Sequence, residues 1–256
     1  MVLVSHDHAF VYLKTHKTAS TSIEAALEPL CLPPGDPDMG RHRRDARVSP
    51  HGIVGVRGGP DRQPEERVWR NHAPAWRVRL ALGRRTFARY LKIAAVRNPW
   101  DRAVSAYCSE LDGPGRTALE AGPFEDAARG FRAWLATADL RRNHSKLALL
   151  GFPCIDAPLV FERLGDDLAR LFETLKAEPA GALPTFKADR RVFPDRPFQD
   201  WFDDAARRRV ERANAFEIAA FGYRFDRRGP TLPAPAWPAH VLLRRRRTPP
   251  AEPGPS

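Results

Sequence analysis

The residues best suited to chemistry lie close together near the start of the chain, in the segment Thr15–Ser22. Lys17 supplies a positive charge, and Ser20, Thr21 and Ser22 supply hydroxyl groups. The segment follows an apolar stretch and precedes a helical pattern, so it would bring these groups to a helix N-terminus. Backbone N–H groups and the positive end of the helix dipole bind phosphate-like anions at such a position. The sequence therefore predicts an anion site, although the loop has no glycine and lacks the G-x-x-x-x-G-K-[ST] pattern.

A second group of polar residues begins at Arg97, immediately after an apolar run. Asn98 can cap a helix and Pro99 can occupy its first turn, which places Ser105 two turns into that helix. A cation at the carboxyl end of a buried strand lies where open α/β sheets bind ligands. An ordinary strand–helix junction would explain the proline but not the joint placement of arginine and serine. For Arg102 the pattern leaves two roles open, holding the loop or holding a ligand.

His72 is a candidate general base, because a neutral imidazole can accept a proton near neutral pH. It lies in the segment Asn71–Ala75, just before a helical pattern, with Pro74 in a plausible first-turn position. A lone histidine is more often a surface or capping residue than a catalyst, so spacing alone favours the structural alternative. No cluster of histidine, cysteine and carboxylate residues has metal-ligand spacing, and we expect no metal.

These candidates need strands and helices that bring them together. Continuous apolar runs at Ala9–Leu13, Ile93–Val96 and Pro158–Phe161 predict buried strands. Each run is followed by a helical pattern, and the first helix is expected to begin near Ser20 with a Thr21–Glu24 capping box. The sequence therefore predicts repeated strand–turn–helix units.

The remaining segments carry weaker predictions. Residues 33–66 are rich in Gly, Pro and Arg and predict a long surface excursion, either a disordered insertion or a substrate lid, with a short strand at Gly52–Val56. For the basic segment Asp139–Lys146 a solvated loop is favoured over a face for an acidic acceptor. We expect one domain at 1–228 and a disordered Pro- and Arg-rich tail at 229–256.

Composition and charge limit the functional classes. A chain of 256 residues with 43% hydrophobic content fits one domain with a sizeable core. Three scattered cysteines favour reduced thiols, and no apolar run approaches the roughly 20 residues of a membrane span, so we expect a cytoplasmic protein. Of the net charge of +11, residues 224–256 contribute seven arginines against two acids, or +5, which leaves +6 for the rest. This distribution argues against a nucleic-acid groove.

The motifs together resemble those of sulfotransferases that use PAPS (3′-phosphoadenosine 5′-phosphosulfate). The sequence K-T-A-S-T-S at 17–22 is similar to the phosphosulfate-binding loop of this family. It is closest to the carbohydrate-type and bacterial branch, which includes the uronyl and heparan 2-O-sulfotransferases. The sequence R-N-P-W-D-R-A-V-S-A-Y at 97–107 resembles the 3′-phosphate motif R-x-P-x-x-R-x-x-S-x-Y, and Asn71–Ala75 resembles the family's N-H-x-x-A segment.

The resemblance covers roughly residues 8–225 and implies a P-loop-like α/β fold, with a mostly parallel sheet flanked by helices. By this resemblance Lys17 would lie near the bridging oxygen of the donor, and His72 would take the acceptor's proton. Arg97 and Ser105 would grip the 3′-phosphate. The 5′-phosphate would be held by adjacent N–H groups and hydroxyls, namely those of Thr18, Ala19, Ser20, Thr21 and Ser22.

The implied reaction moves the sulfuryl group of PAPS to a hydroxyl of a carbohydrate or another small molecule and releases PAP, with no metal and no nucleic-acid partner. Phe161–Leu164 matches the family's F-E-x-L segment and is assigned to the scaffold. Phe198–Phe225 resembles the family's closing helix and is assigned to the core. Leu183–Arg191 departs from the family's L-P-H-x-N-x-S, so which of its basic residues meets a phosphate stays open. Two alternatives remain. One is a nucleotide kinase or NTPase, although this sequence lacks the Walker lysine–serine pair of such enzymes. The other is a basic nucleic-acid binder.

Overall fold

A computed structural model of the chain describes residues 1–36, 46–56, 68–111, 113–179 and 191–231. Its centre is a six-stranded sheet with the strand order β3-β4-β1-β2-β5-β8. The strands of this sheet are β1 (Leu3–Ser5), β2 (Phe10–Tyr12), β3 (Arg47–Ser49), β4 (Gly52–Val54), β5 (Leu91–Val96) and β8 (Ala157–Val160). A separate two-stranded hairpin contains β6 (Ala148–Leu149) and β7 (Phe152–Pro153).

The sheet is mixed in direction. Strands β2, β5 and β8 are parallel neighbours, with Tyr12 opposite Ile93 and Val96 opposite Val160. Strands β1, β4 and β3 continue the sheet by antiparallel pairing. In the described part of the chain, β2, β4, β5 and β8 therefore run in one direction, while β1 and β3 run in the other. The predicted parallel arrangement is confirmed for β2, β5 and β8, and it brings the carboxyl ends of β2 and β5 side by side.

Helices cover the sheet and follow the predicted strand–turn–helix units. They are α1 (Ser20–Leu27), α2 (Ala75–Leu82), α3 (Arg84–Arg89), α4 (Pro99–Glu110), α5 (Gly113–Ala121), α6 (Phe124–Thr137), α7 (His144–Leu147), α8 (Leu164–Leu175), α9 (Asp204–Ala213) and α10 (Ala215–Phe221). Among the described residues, no helix is long and apolar enough to span a bilayer.

Each face of the sheet has its own hydrophobic cluster, because successive strand side chains point to opposite faces. Val11 and Ala94 pack in one cluster, with residues of α4, α6 and α9. Tyr12 and Ile93 pack in the other, with residues of α1 and α8. Burial on both faces explains why the sequences of β2, β5 and β8 are apolar on both faces rather than alternating, apart from Lys92 in β5.

Several sequence predictions are confirmed and two are corrected. Helix α1 begins at Ser20, but the Thr21–Glu24 capping box is wrong: the N-cap is Ala19, with no side-chain cap. Glu24 is instead fully buried and accepts a hydrogen bond from Lys14 Nζ at 2.6 Å. The surface excursion is wrong for residues 47–54, which form the edge strand β3 and its neighbour β4 in the central sheet. The short strand predicted at Gly52–Val56 is confirmed as β4.

Other predictions lie partly or wholly outside the described residues. These are the rest of the excursion at 37–45 and 57–67, the segment 183–190, and the tail from residue 232. The predicted closing helix over 198–225 is two helices, α9 and α10, preceded by a 3₁₀ turn at Phe198–Trp201. The domain boundary at residue 228 stays a prediction.

Candidate active site

The loop between β2 and α1 has an unusual backbone that is fixed by internal hydrogen bonds. Lys17 and Ala19 have φ angles of 60° and 54°, a region that non-glycine residues seldom adopt. The hydroxyl of Thr15 donates to the carbonyl oxygen of Ala95 at 2.7 Å and accepts from the hydroxyl of Thr18 at 2.8 Å. Because Thr15 and Thr18 are fully buried, these bonds hold the strained turn against the end of β5.

The loop ends at the N-terminus of α1, where backbone donors are available. Ala19 has no capping side-chain bond, and its carbonyl accepts from the N–H groups of Ser22 and Ile23. No described residue accepts a hydrogen bond from the N–H of Ser20 or Thr21. Uncapped N–H groups at the positive end of a helix can bind an anion without any change in the fold.

Arg97 lies at the carboxyl end of β5 and links that strand to the loop. Its Nη1 donates to the carbonyl oxygen of Lys17 at 3.1 Å. Its Nε and Nη2 each lie 2.7 Å from Asp101 Oδ2, and its guanidinium packs over the ring of Phe161 with 4.0 Å to the ring centroid. Arg97 is 9% exposed, so it is a preorganised cation beside the anion-binding loop.

Asp101 is shared between two arginines. Its Oδ1 accepts from Arg191 Nη1 at 2.8 Å, while Oδ2 accepts from Arg97. Burial acts to raise the pKa of the Asp101 carboxyl, but the two guanidinium groups outweigh it and hold the pKa below its usual value. One carboxylate facing two arginines leaves a local charge of +1. Moreover, Arg191 Nε is buried without a hydrogen-bond partner in the described part of the chain, a donor that an added anion could satisfy.

Ser105 lies one turn after Asp101 on the same face of α4, because the two residues are spaced four apart. It is partly exposed, and no described residue forms a hydrogen bond with its hydroxyl. This face of α4 therefore presents a hydroxyl beside the carboxylate that binds Arg97 and Arg191.

Arg102 and Glu162, which the sequence analysis also singled out, form contacts within the protein scaffold. Arg102 forms a buried ion pair with Glu217 and donates to Asn214 Oδ1 at 2.6 Å. Of the two roles that the sequence left open, the structure supports the structural one. Glu162 likewise accepts from the Asn98 backbone N–H at 2.8 Å and from the Tyr223 hydroxyl at 3.2 Å, as expected of a scaffold residue.

His72 reaches the same loop from the segment before α2. Its backbone has a φ of 56°, and its Nδ1 lies 3.2 Å from the carbonyl oxygen of Lys14. A carbonyl only accepts hydrogen bonds, so Nδ1 carries the proton and Nε2 has the lone pair. Burial, followed by the charges of His16 and Lys14 and the amino group of Met1, lowers the pKa of His72 to about 2. The ring is therefore neutral at physiological pH.

Two residues of this site had no role in the sequence interpretation. The ring of His16 stacks on that of His72, with centroids 3.5 Å apart and planes 13° apart. The backbone N–H of His16 donates to Asn143 Oδ1 at 2.7 Å, and its carbonyl accepts from Asn143 Nδ2 at 3.3 Å. Asn143 is buried, so the favoured solvated loop at 139–146 is wrong at this position. A cavity of about 70 Å³ borders His16, Lys17 and Asn143.

Comparison with protein families gave one match. Residues 1–116 match the model of the sulfotransferase family. This region contains the loop, His72, Arg97 and Ser105, so the sulfotransferase resemblance is confirmed for this part of the chain. Comparison with curated proteins gave no match, and comparison with solved structures gave none.

Proposed function

We propose that this protein is a PAPS-dependent sulfotransferase that transfers the sulfuryl group to a hydroxyl and releases PAP. The observation that carries the proposal is the hydrogen bond from Arg97 to the carbonyl of Lys17. It joins two candidate anion-binding elements, the N-terminus of α1 and the arginine pair held by Asp101, at the carboxyl ends of the parallel strands β2 and β5. A nucleotide with phosphates at both its 5′ and 3′ positions matches two such elements.

The donor's contacts follow from this arrangement. The N–H groups of Ser20 and Thr21 are suited to the 5′-phosphate, and Lys17 to the oxygen that bridges phosphorus and sulfur. Arg97 and Ser105 are suited to the 3′-phosphate, and the partnerless Nε of Arg191 could add a donor there. The sulfotransferase match over residues 1–116 supports the reaction class, and the geometry supports these assignments.

In the proposed reaction the acceptor oxygen forms a bond to sulfur while the bond from sulfur to the bridging oxygen breaks. The electron pair of the broken bond stays on the 5′-phosphate, where Lys17 and the helix N-terminus stabilise the developing charge. The acceptor's proton passes to Nε2 of His72. As in phosphoryl transfer, most of the catalysis comes from in-line positioning and charge stabilisation.

The acceptor is proposed to be a hydroxyl of a carbohydrate or of another small molecule. The cavity that borders His16, Lys17 and Asn143 lies beside the proposed lysine and beside the ring that stacks on the proposed base. It is a candidate entry point for the acceptor.

The test is a calorimetric titration of the protein with PAP, with AMP, ADP and ATP–Mg²⁺ titrated at the same ionic strength. PAP and AMP differ only in the 3′-phosphate, so their ratio isolates the arginine pair. Preferential binding of PAP supports the proposal and justifies an acceptor screen with labelled PAPS. Equal binding of PAP and AMP, or a preference for ATP–Mg²⁺, would refute it in favour of a nucleotide kinase or NTPase.

A further inference from the structure

The stacked histidines His16 and His72 form a unit that the proposed transfer chemistry does not by itself require. Base catalysis needs one imidazole, yet the two rings lie in nearly parallel planes with their centroids 3.5 Å apart. Each ring comes from a different segment. His16 belongs to the strained loop before α1, whereas His72 precedes α2 with its own positive φ of 56°. Two strained segments that meet ring on ring indicate an arrangement fixed from both sides.

We propose that His16 is a positioning residue for His72, whose imidazole it holds in one plane and one tautomer with Nε2 available for the acceptor's proton. The inference rests on the proposed role of His72 as the base. His72 is fixed at its edge by Nδ1 and the Lys14 carbonyl, and at its face by the ring of His16. One hydrogen bond alone would let the imidazole swing about that bond, and the stack removes this freedom.

His16 is itself rigid enough to serve as a reference. Its backbone N–H and carbonyl are both bound by the side chain of Asn143, which is 2% exposed. Asn143 immediately precedes α7, so the position of His16 depends on a packed element rather than on the loop alone. A general base has to be held within a fraction of an ångström of its working position, which such a support provides.

The charged surroundings explain why the pair stays neutral. His16 faces the cations Lys146, Arg142, Arg102 and Lys14, and burial together with these charges lowers its pKa to about 4. His72 faces His16, Lys14 and the amino group of Met1, while the carboxylate of Glu24 neutralises part of that charge. A proton on either ring would repel a proton on the other, so the stack favours the doubly neutral state.

The test follows the histidine side chains directly by NMR of the full chain with ¹⁵N-labelled histidine, with and without PAP. His16→Phe keeps a flat ring and removes the titrating group, whereas His16→Ala removes the ring. His51→Phe is the matched control, because His51 pairs with Asp7 on the exposed side of the protein. His72→Gln assigns the His72 signals.

In the wild type and in His16→Phe, His72 should keep one neutral tautomer, with the proton on Nδ1, from pH 8 to pH 5. In His16→Ala the tautomers should mix, because no ring then holds the imidazole of His72 in one plane. The rate of PAP release from PAPS should fall at least about tenfold in His16→Ala and less than about threefold in His16→Phe, with PAP affinity unchanged in both.

An unchanged tautomer of His72 in His16→Ala would overturn the inference. If His16→Ala does not fold, His16→Phe alone still tests the inference. Mixed tautomers of His72 in His16→Phe would overturn it, because a stacked flat ring would then not be enough to hold His72 in one tautomer. Failure of the proposed function is visible separately, as absence of PAP binding to the wild-type protein.

Discussion

Replacement of Arg97 tests the proposed nucleotide site most directly. Its guanidinium has five N–H donors, of which one on each nitrogen is engaged by Asp101 or by the Lys17 carbonyl. Two N–H groups therefore remain for a ligand. In Arg97→Ala, a 3′-phosphate would lose one or two charge-assisted hydrogen bonds, while Asp101 would keep its bond to Arg191.

The expected size of the loss follows from these contacts. A hydrogen bond to a charged group contributes about 1.5–3 kcal/mol net. Because 1.4 kcal/mol corresponds to a factor of ten, PAP affinity should fall about 10- to 100-fold. Loss of the Lys17 contact also loosens the loop, but that effect weakens PAP and AMP alike. The ratio of the two dissociation constants therefore reports the 3′-phosphate alone.

The assay is calorimetric titration of wild type and variants with PAP and AMP. Arg97→Lys, which keeps the charge but loses the forked donor set, should fall between wild type and Arg97→Ala. Arg129→Ala is the control, because Arg129 is a highly exposed arginine of α6. Equal losses for PAP and AMP in Arg97→Ala would refute the assignment and reduce Arg97 to a support for the loop.

Three further predictions address the proposed chemistry and the fold. Lys17→Ala should lower the rate of PAP release from PAPS by about 100-fold or more while circular dichroism stays unchanged, and a wild-type rate would remove Lys17 from the mechanism. His72→Gln should slow PAP release with PAP affinity retained, and its urea midpoint should fall less than that of the wild type between pH 7 and pH 5. Burial depresses the pKa of His72 in the fold, so the unfolded chain takes up a proton below pH 6.5 and wild-type stability decreases as the pH falls; parallel pH profiles would contradict this. Gly52→Ala should unfold at a clearly lower temperature, because its Cβ would lie 2.2 Å from the Val4 carbonyl oxygen, whereas Gly130→Ala meets only the end of a tyrosine side chain and should be milder.

The parts of the fold that sequence predicted best are the strands buried on both faces. β8 and the Ile93–Val96 part of β5 are continuous apolar runs, as expected of strands that are buried on both faces. The predicted Thr21–Glu24 capping box is wrong because Glu24 forms a tertiary contact instead of the local contact at the helix N-terminus. Glu24 pairs with Lys14 across the core, so the sequence pattern was present but the carboxylate was used elsewhere. The short strand β3 has no burial pattern strong enough to be recognised.

In the candidate site, too, local sequence patterns predicted the contacts within one element but not those between distant elements. Arg97 and Ser105 could be paired from sequence because they belong to one strand–turn–helix unit, in which Arg97 ends the strand and Ser105 lies in the following helix. The contact between His16 and Asn143 joins positions 127 residues apart, and nothing in either local pattern indicates it. The pairing of Asp101 with Arg191 is equally remote, since it spans 90 residues. Such contacts depend on the packing of α7 and of the segment after residue 190, which local patterns do not specify.

The hydrogen bonds to the loop also explain how remote elements could act on the proposed chemistry. Four consecutive residues of the loop are each held by a different part of the chain. Lys14 accepts from His72, and the Thr15 hydroxyl donates to the end of β5. His16 is bound by Asn143, and the Lys17 carbonyl accepts from Arg97. Three of these contacts use the loop backbone, so a side-chain substitution in the loop leaves them in place. Insertion of one residue into the loop would instead shift His72, His16 and Arg97 relative to one another. The loop backbone is therefore the common reference that aligns the proposed donor site with the proposed base.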